Sequence, residues 1–350
     1  MPMLAELVDV VIGVDTHKHT NTAAIVVAST AAVVVTDAAS TDPDGHQRLF
    51  ELAARHGESR AWAIEGANGY GAGLARFLLE RGELVVELDR PQRARRRHGA
   101  KSDPIDAVRA AREALSREHL SEPRAAGERQ ALSVRLAARR LAVDAGTDTQ
   151  RQIHGLVVAA PEQLRSKLRN LTTPEMLKVC RRLRVDPRWD ITTRETAQVL
   201  RCLARRAITL AEEAKDHEKA ILDIVRSWRP DILDNCGVGP IVAATVLCAW
   251  SHPGRIRSDA AFAMLAGTAP IPASSGTTVR HRLNRSGDRR LNEAIHTIVV
   301  TRTRVDTDTK HYIERRRADG KTDREIRRCL KRYVTRQLYR QLENPPLDRT

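Results

Sequence analysis

Val8-Asp9-Val10-Val11-Ile12-Gly13-Val14-Asp15 is an apolar, β-branched run that stops on a carboxylate. Such a run reads as a buried strand, and the acid at its last position falls where the strand leaves the core. A second run, Ala61-Trp62-Ala63-Ile64, stops in the same way on Glu65. Further along, Lys101-Ser102-Asp103-Pro104-Ile105-Asp106 carries two acids around a proline. Proline suits the first helical position, so this stretch reads as a helix start with Asp103 at the N-cap and Asp106 at the third position, both favoured by the helix dipole. Strand-end acids and a helix-start pair could converge on one spot. Four like charges at close range are unstable unless cations lie between them. The first expectation is therefore a divalent metal site for phosphodiester chemistry, and hard oxygen ligands favour Mg²⁺, with Mn²⁺ the alternative. His17 and His19 follow Asp15 closely and read chiefly as solvated loop residues, a supporting place at the site being the other possibility.

Outward from these segments, residues 8–15, 22–28 and 31–37 read as three strands. A helix from Pro43 to His56, a strand over 61–65, a helix from Tyr70 to Arg81 stopped by Gly82, and a strand from Glu83 to Leu88 follow. The order β-β-β-α-β-α-β-α predicts an α/β layered domain. Residues 128–158 read as mostly helical, and Pro161 and Pro174 punctuate a less regular basic region up to Trp189. From Thr193, Leu200, Leu203, Ala207, Leu210, Ala214, His217, Ile221, Ile224 and Trp228 alternate three and four apart. That is the seam of a coiled coil or long helical hairpin, serving dimerisation or domain spacing, or packing on its own domain. Cys236-Gly237-Val238-Gly239-Pro240 ahead of the apolar Ile241 to Trp250 reads as a helix-hairpin-helix-like turn. There the amides of Gly237 and Gly239 could approach a phosphate, or the segment is a plain interhelical turn. Ser258 caps a short helix ending at Gly267, and helices over about 288–304 and 322–342 complete a mainly α C-terminal domain. The expected divisions are 1–158, 159–229 and 230–345.

The formal net charge is +15 in 350 residues, an excess that suits a polyanionic partner. Arginines cluster at Arg95, Arg96 and Arg97 beside Lys101, at Arg181, Arg182 and Arg184, and at Arg280, Arg282 and Arg285. Each cluster alone reads as a solvated face; their repetition argues for phosphate contacts. Aromatic residues make up 3%, so base stacking cannot carry most of the affinity. Five scattered cysteines without a C-x-x-C suggest neither a disulfide framework nor a zinc site. No apolar run approaches the ~18–20 residues of a membrane span. The first residues lack the layout of a secretory leader. The expectation is a cytoplasmic, nucleoid-associated protein with no membrane partner. Ser274-Ser275-Gly276 reads from composition as a turn, since serine is a poor nucleophile unless a base or metal activates it.

Three segments, Ile12-Gly13-Val14-Asp15-Thr16-His17-Lys18, Ile64-Glu65-Gly66-Ala67-Asn68-Gly69-Tyr70-Gly71 and Lys101-Ser102-Asp103-Pro104-Ile105-Asp106-Ala107, resemble the Asp-Glu-Asp-Asp tetrad segments of IS110-type transposases. Gly237 to Gly239, Leu265-Ala266 with Pro270, Ser275-Gly276 and the glycine-led helix at Gly287 resemble that family's second domain. The resemblance implies an N-terminal RuvC-like domain of the ribonuclease H superfamily whose tetrad Asp15, Glu65, Asp103 and Asp106 binds Mg²⁺. It implies a catalytic serine at Ser275, with Ser274 the neighbouring candidate, that forms a phosphoserine link to DNA. It also implies a homo-oligomer, dimer or tetramer, with composite sites shared between protomers. The implied partners are DNA, as element ends and target, and a structured guide (bridge) RNA. Position 102 is Ser where the family more usually has Thr. Three other classes compete: a Holliday-junction resolvase with the same tetrad and no covalent intermediate, a sugar-kinase or actin-like ATPase, and a non-catalytic RNA-binding scaffold. A tyrosine recombinase has only the His252-Pro253-Gly254-Arg255 match in its favour.

Overall fold

The computed structural model describes residues 3–88, 102–273 and 281–345. The chain forms two compact units, Met1–Ala125 and Ala126–Thr350. In the first, a short helix α1 (Leu4–Leu7) precedes β1 (Val10–Thr16), β2 (Thr20–Val27), β3 (Val33–Ser40), α2 (Pro43–Ala54), β4 (Arg60–Glu65), α3 (Ala72–Leu79), β5 (Leu84–Leu88) and α4 (Asp103–Ser116). The sheet order is β3-β2-β1-β4-β5. β1–β2 and β2–β3 are antiparallel, whereas β1–β4 and β4–β5 are parallel. The strand–helix order matches the expected one, and Gly82 takes the left-handed backbone (φ 75°) just beyond α3. Helix α3 is shorter than the 70–81 read from the sequence, because Gly66 to Gly71 is occupied by a hydrogen-bonded turn.

Side chains alternate across the sheet. Val10, Ile12, Val14, Trp62 and Ile64 pack with Leu49 of α2 and Leu74 and Leu78 of α3. Val11, Ala61, Ala63, Val86 and Leu88 pack on the other face with Ala110, Ala111 and Ala114 of α4. Small residues on both sides let α4 approach the sheet closely. A Cβ added at Gly13 would lie 2.1 Å from the Ala107 carbonyl oxygen and 2.4 Å from the Ala111 nitrogen. No side chain other than hydrogen fits there.

The second unit is helical. Helices α5 (Glu128–Ala159) and α8 (Ile191–Trp228) form a long antiparallel hairpin. Arg139 pairs with Glu218 at one end, Gly146 faces Leu210, and Ile153 and Val157 meet Leu200 and Ala204 at the other. The heptad seam is thus satisfied within the chain. The buried residues of α8 are Thr193, Ala197, Leu200, Ala204, Ala207, Ala214, Ile221 and Val225; Leu200, Ala207, Ala214 and Ile221 belong to the seam read from the sequence, whereas its Leu203 and Ile224 are only partly covered. The region expected to be irregular holds two helices, α6 (Glu162–Leu168) and α7 (Thr173–Arg181). Pro161 and Pro174 sit at their starts, where a missing N–H costs nothing, and mark beginnings rather than breaks.

A 3-10 turn (Pro230–Asp234) leads to α9 (Pro240–Trp250) and α10 (Asp259–Leu265). The short strands β6 (Ile271–Pro272) and β7 (His281–Arg282) follow, then α11 (Arg289–Val305), α12 (Thr307–Ala318) and α13 (Asp323–Glu343). Their common core joins Leu132, Ile221 and Val225 of the hairpin to Leu247, Trp250, Phe262, Ile295, Ile298 and Leu338. Arg229 is buried at this junction, paired with Asp231 at 2.7 Å and donating to the Leu342 and Gln341 carbonyls. Among the described residues no helix is long and apolar enough to cross a membrane.

Candidate metal centre and the C-terminal basic cavity

Strand pairing brings the first two acids side by side. The parallel register Val14↔Ile64 sets Asp15 beside Glu65 at adjacent strand ends. Val11, Ala61 and Ala63 face α4, so two-residue alternation turns Asp15 and Glu65 to that same side. The Thr16 hydroxyl donates to the Glu65 carbonyl at 2.9 Å and ties the two ends together.

Helix α4 begins over this corner, one residue earlier than the sequence suggests. Ser102, extended at φ −151°, is the N-cap, so Asp103 is the first helical residue and Pro104 the second. Asp103 therefore does not cap the helix. Its Oδ1 lies 3.4 Å from His17 Nε2, which lies 3.3 Å from Asp15 Oδ2. Asp106, a turn further on, pairs with Arg109 at 2.8 Å. The ligand atoms of Asp15, His17 and Asp103 all fall within 4.8 Å of one another, a spacing that one cation could bridge. Glu65 and Asp106 lie outside that trio. Burial pushes the Asp15 carboxyl above its ordinary value; His17 opposes this, while Asp103 and Asp106 add to it. A divalent cation would relieve that repulsion, so the donor set fits a metal.

Sequence alone underrates His17. The available signal is its place two residues beyond Asp15, which keeps it on the same side if the strand continues. His19 is exposed and takes no part in the trio.

In the second unit, β6 and β7 pair antiparallel (Ile271↔Arg282, Pro272↔His281) and bracket the serine segment. Ser274, Ser275 and Arg280 lie outside the described residues, as do Arg95, Arg96, Arg97 and Lys101. The bracket borders a cavity of about 1210 Å³ lined by Arg282, Arg285, Arg327, Arg328, Arg332 and Lys331 among others. On its wall Lys331 donates to Asn292 Oδ1 at 2.7 Å, and the Asn292 amide donates to the Ala266 carbonyl at 2.6 Å. Burial, with Arg327 nearby, lowers the Lys331 pKa. Burial likewise lowers that of His296, reinforced by Lys331 and Arg327.

Gly267 and Gly287 make this wall possible. Both have positive φ, and a Cβ on Gly287 would lie 2.5 Å from the Leu265 carbonyl oxygen. The two turns cross backbone to backbone, with Asp288 N–H bonded to Leu265 O at 2.7 Å.

The Gly237 turn is not flanked by two α-helices, since a 3-10 turn precedes it. Gly237 (φ 84°) packs on α11, where a Cβ would lie 3.0 Å from Ile298 O. Gly239 caps α9 and would meet nothing within 4 Å, leaving its side open.

A mixed sheet with acidic strand ends under an acidic helix start defines a RuvC-like domain, here followed by long helices and a mostly helical C-terminal region. Residues 12–160 match the model of the DEDD-type IS110 transposase domain, and residues 232–314 match the transposase IS116/IS110/IS902 family. The chain belongs to the IS110 family of transposases and is a DNA recombinase. No curated protein matches it.

Proposed function

We propose that this transposase cleaves and rejoins DNA at the ends of an insertion sequence through a metal-bound acidic centre and a serine nucleophile. The convergence of Asp15, His17 and Asp103 where β1 meets α4 is the observation that carries this reading. Asp15, Glu65, Asp103 and Asp106 would hold Mg²⁺, with Mn²⁺ as the alternative. The ion supplies charge stabilisation for oxygens at the reacting phosphorus. Ser275 Oγ replaces one ester oxygen at that phosphorus, releasing a DNA hydroxyl and leaving a phosphoserine. Attack by a second DNA hydroxyl then reforms the diester and frees the serine. Lys331, Arg282 and Arg285 suit the phosphate charge of the strand being exchanged. A structured guide RNA supplies target choice by base pairing, which suits a protein poor in aromatic residues.

Trapping the covalent intermediate tests the serine. Wild-type protein incubated with labelled element-end DNA yields a denaturation-resistant adduct. Ser275→Ala is expected to yield none while keeping DNA affinity, and Ser274→Ala to retain the adduct. An adduct persisting in Ser275→Ala would overturn the assignment. Cleavage without any adduct would favour a resolvase-type reaction.

The composite-site reading makes a separate prediction. Asp15→Asn and Ser275→Ala proteins, each inactive alone, regain strand exchange when co-assembled, because one mixed site carries both intact halves. Failure of mixed oligomers to recover activity places both halves in one protomer.

A further inference from the structure

A second basic hollow lies in the stretch between the two matched segments. A cavity of about 750 Å³ at the corner of α7 and α8 is lined by Arg181, Arg182 and Arg184 on one side and Arg201 and Arg205 on the other. Glu212 is its one acid. Arginines close by are neutralised: Arg169 pairs with Glu162 at 3.1 Å and Arg188 with Asp186 at 2.8 Å. None of the five in the cavity enters an ion pair among the described residues. Arg181 and Arg182 have a structural reason, since cations in the last turn and at the C-cap of α7 complement the helix dipole, and Arg201 reaches the Leu183 carbonyl. Neither reason reaches Arg184 or Arg205. Arg201 and Arg205 are four apart on one helix, a spacing at which like charges oppose helix formation.

The cluster is held in place. Leu183, between the exposed arginines, packs into the apolar groups formed by α5, α6, α7 and α8. Its carbonyl accepts from Arg201 Nη1 at 3.5 Å. Arg181, Arg182 and Arg184 therefore project from the packed end of α7, and Arg201 and Arg205 from α8, supports whose rigidity lowers the entropy lost when they grip a ligand. Forked guanidinium donors match phosphate oxygens better than ammonium groups do.

We propose that this hollow is a phosphodiester-backbone clamp, a nucleic-acid contact additional to the acidic centre and to the C-terminal cavity. The same chemistry serves DNA and RNA, and the test separates the two. It rests on charge and packing, and needs neither the metal nor the serine.

Full-length Arg201→Ala/Arg205→Ala and Arg181→Ala/Arg182→Ala/Arg184→Ala proteins are titrated with labelled duplex DNA and with a labelled hairpin RNA. Several salt concentrations are used, with no divalent metal, so failure of the catalytic reading leaves this result untouched. Affinity for at least one ligand is expected to fall roughly tenfold, and the dependence of log K on log salt to flatten by about one for each phosphate no longer gripped. Weakening with RNA alone assigns the clamp to RNA, weakening with DNA alone to DNA, and weakening with both to a shared path; each supports the proposal. Unchanged affinity and slope for both ligands overturn it. If the arginine variants fail to fold, Glu212→Gln on the exposed face of α8 decides. Tighter binding supports the clamp, and unchanged binding overturns it.

Discussion

Asp15→Asn is expected to abolish strand cleavage while leaving the fold intact. The substitution keeps the shape of the side chain and removes a charge that burial, Asp103 and Asp106 all disfavour. In chelator the variant should melt at or above the wild-type temperature, because the repulsion at the corner is reduced. Wild-type protein should gain thermal stability on adding Mg²⁺, as any ligand bound only by the folded state requires, and the variant should not. The activity loss should exceed the ~10–100-fold typical when a residue supporting a metal ligand is removed. His17→Ala should fall in that smaller range. Cleavage of labelled DNA and melting with and without metal read all three effects. Wild-type cleavage by Asp15→Asn would remove the acidic centre from the chemistry.

Gly13→Val should unfold or loosen the Met1–Ala125 unit. The new Cβ would overlap backbone atoms of α4, at 2.1 Å from Ala107 O and 2.4 Å from Ala111 N, and neither can turn aside as a side chain can. Relief requires lifting α4 from β1, which carries Asp103 and Asp106 with it. Overpacking a core costs about 1–3 kcal/mol and occasionally more; a backbone clash belongs at or above the upper end. Denaturant unfolding measures the loss, and cleavage should fall in parallel. Gly155→Ala is the contrasting control. Gly155 lies inside α5 with nothing within 4 Å of an added Cβ. There the change should stabilise by about 0.5–1 kcal/mol. Equal destabilisation by both substitutions would refute the close-approach argument.

Much of the N-terminal fold is readable because its strands are β-branched runs ended by turns or acids. The two strand ends carrying Asp15 and Glu65 follow from that pattern, and the parallel pairing of β1 with β4 supplies the rest. Where sequence and structure part, the missing information is tertiary. Asp103 could as well have been a cap, and only the extended backbone of Ser102 assigns that place elsewhere. His17 has no local signature separating a solvated loop histidine from one lying between two carboxylates. Helix α12 escapes the sequence because its twelve residues bury only Thr309 and Ile313, so no apolar stripe exists to detect. Helices α6 and α7 are hidden by prolines whose meaning depends on which side of them the helix lies. The heptads of α8 are plain, but periodicity does not name a partner; close packing against α5, helped by alanines and Gly146, does.

That hairpin also fixes a length. Arg205 lies 23 positions before Trp228 on one unbroken helix, a rise of roughly 35 Å at the standard pitch. Trp228 and the buried Arg229 are rooted in the C-terminal core. That core already includes Ile221, so the unbroken helix between it and the arginine hollow has a rise of roughly 24 Å. A backbone gripped at the hollow would therefore be held at a fixed distance from the C-terminal core.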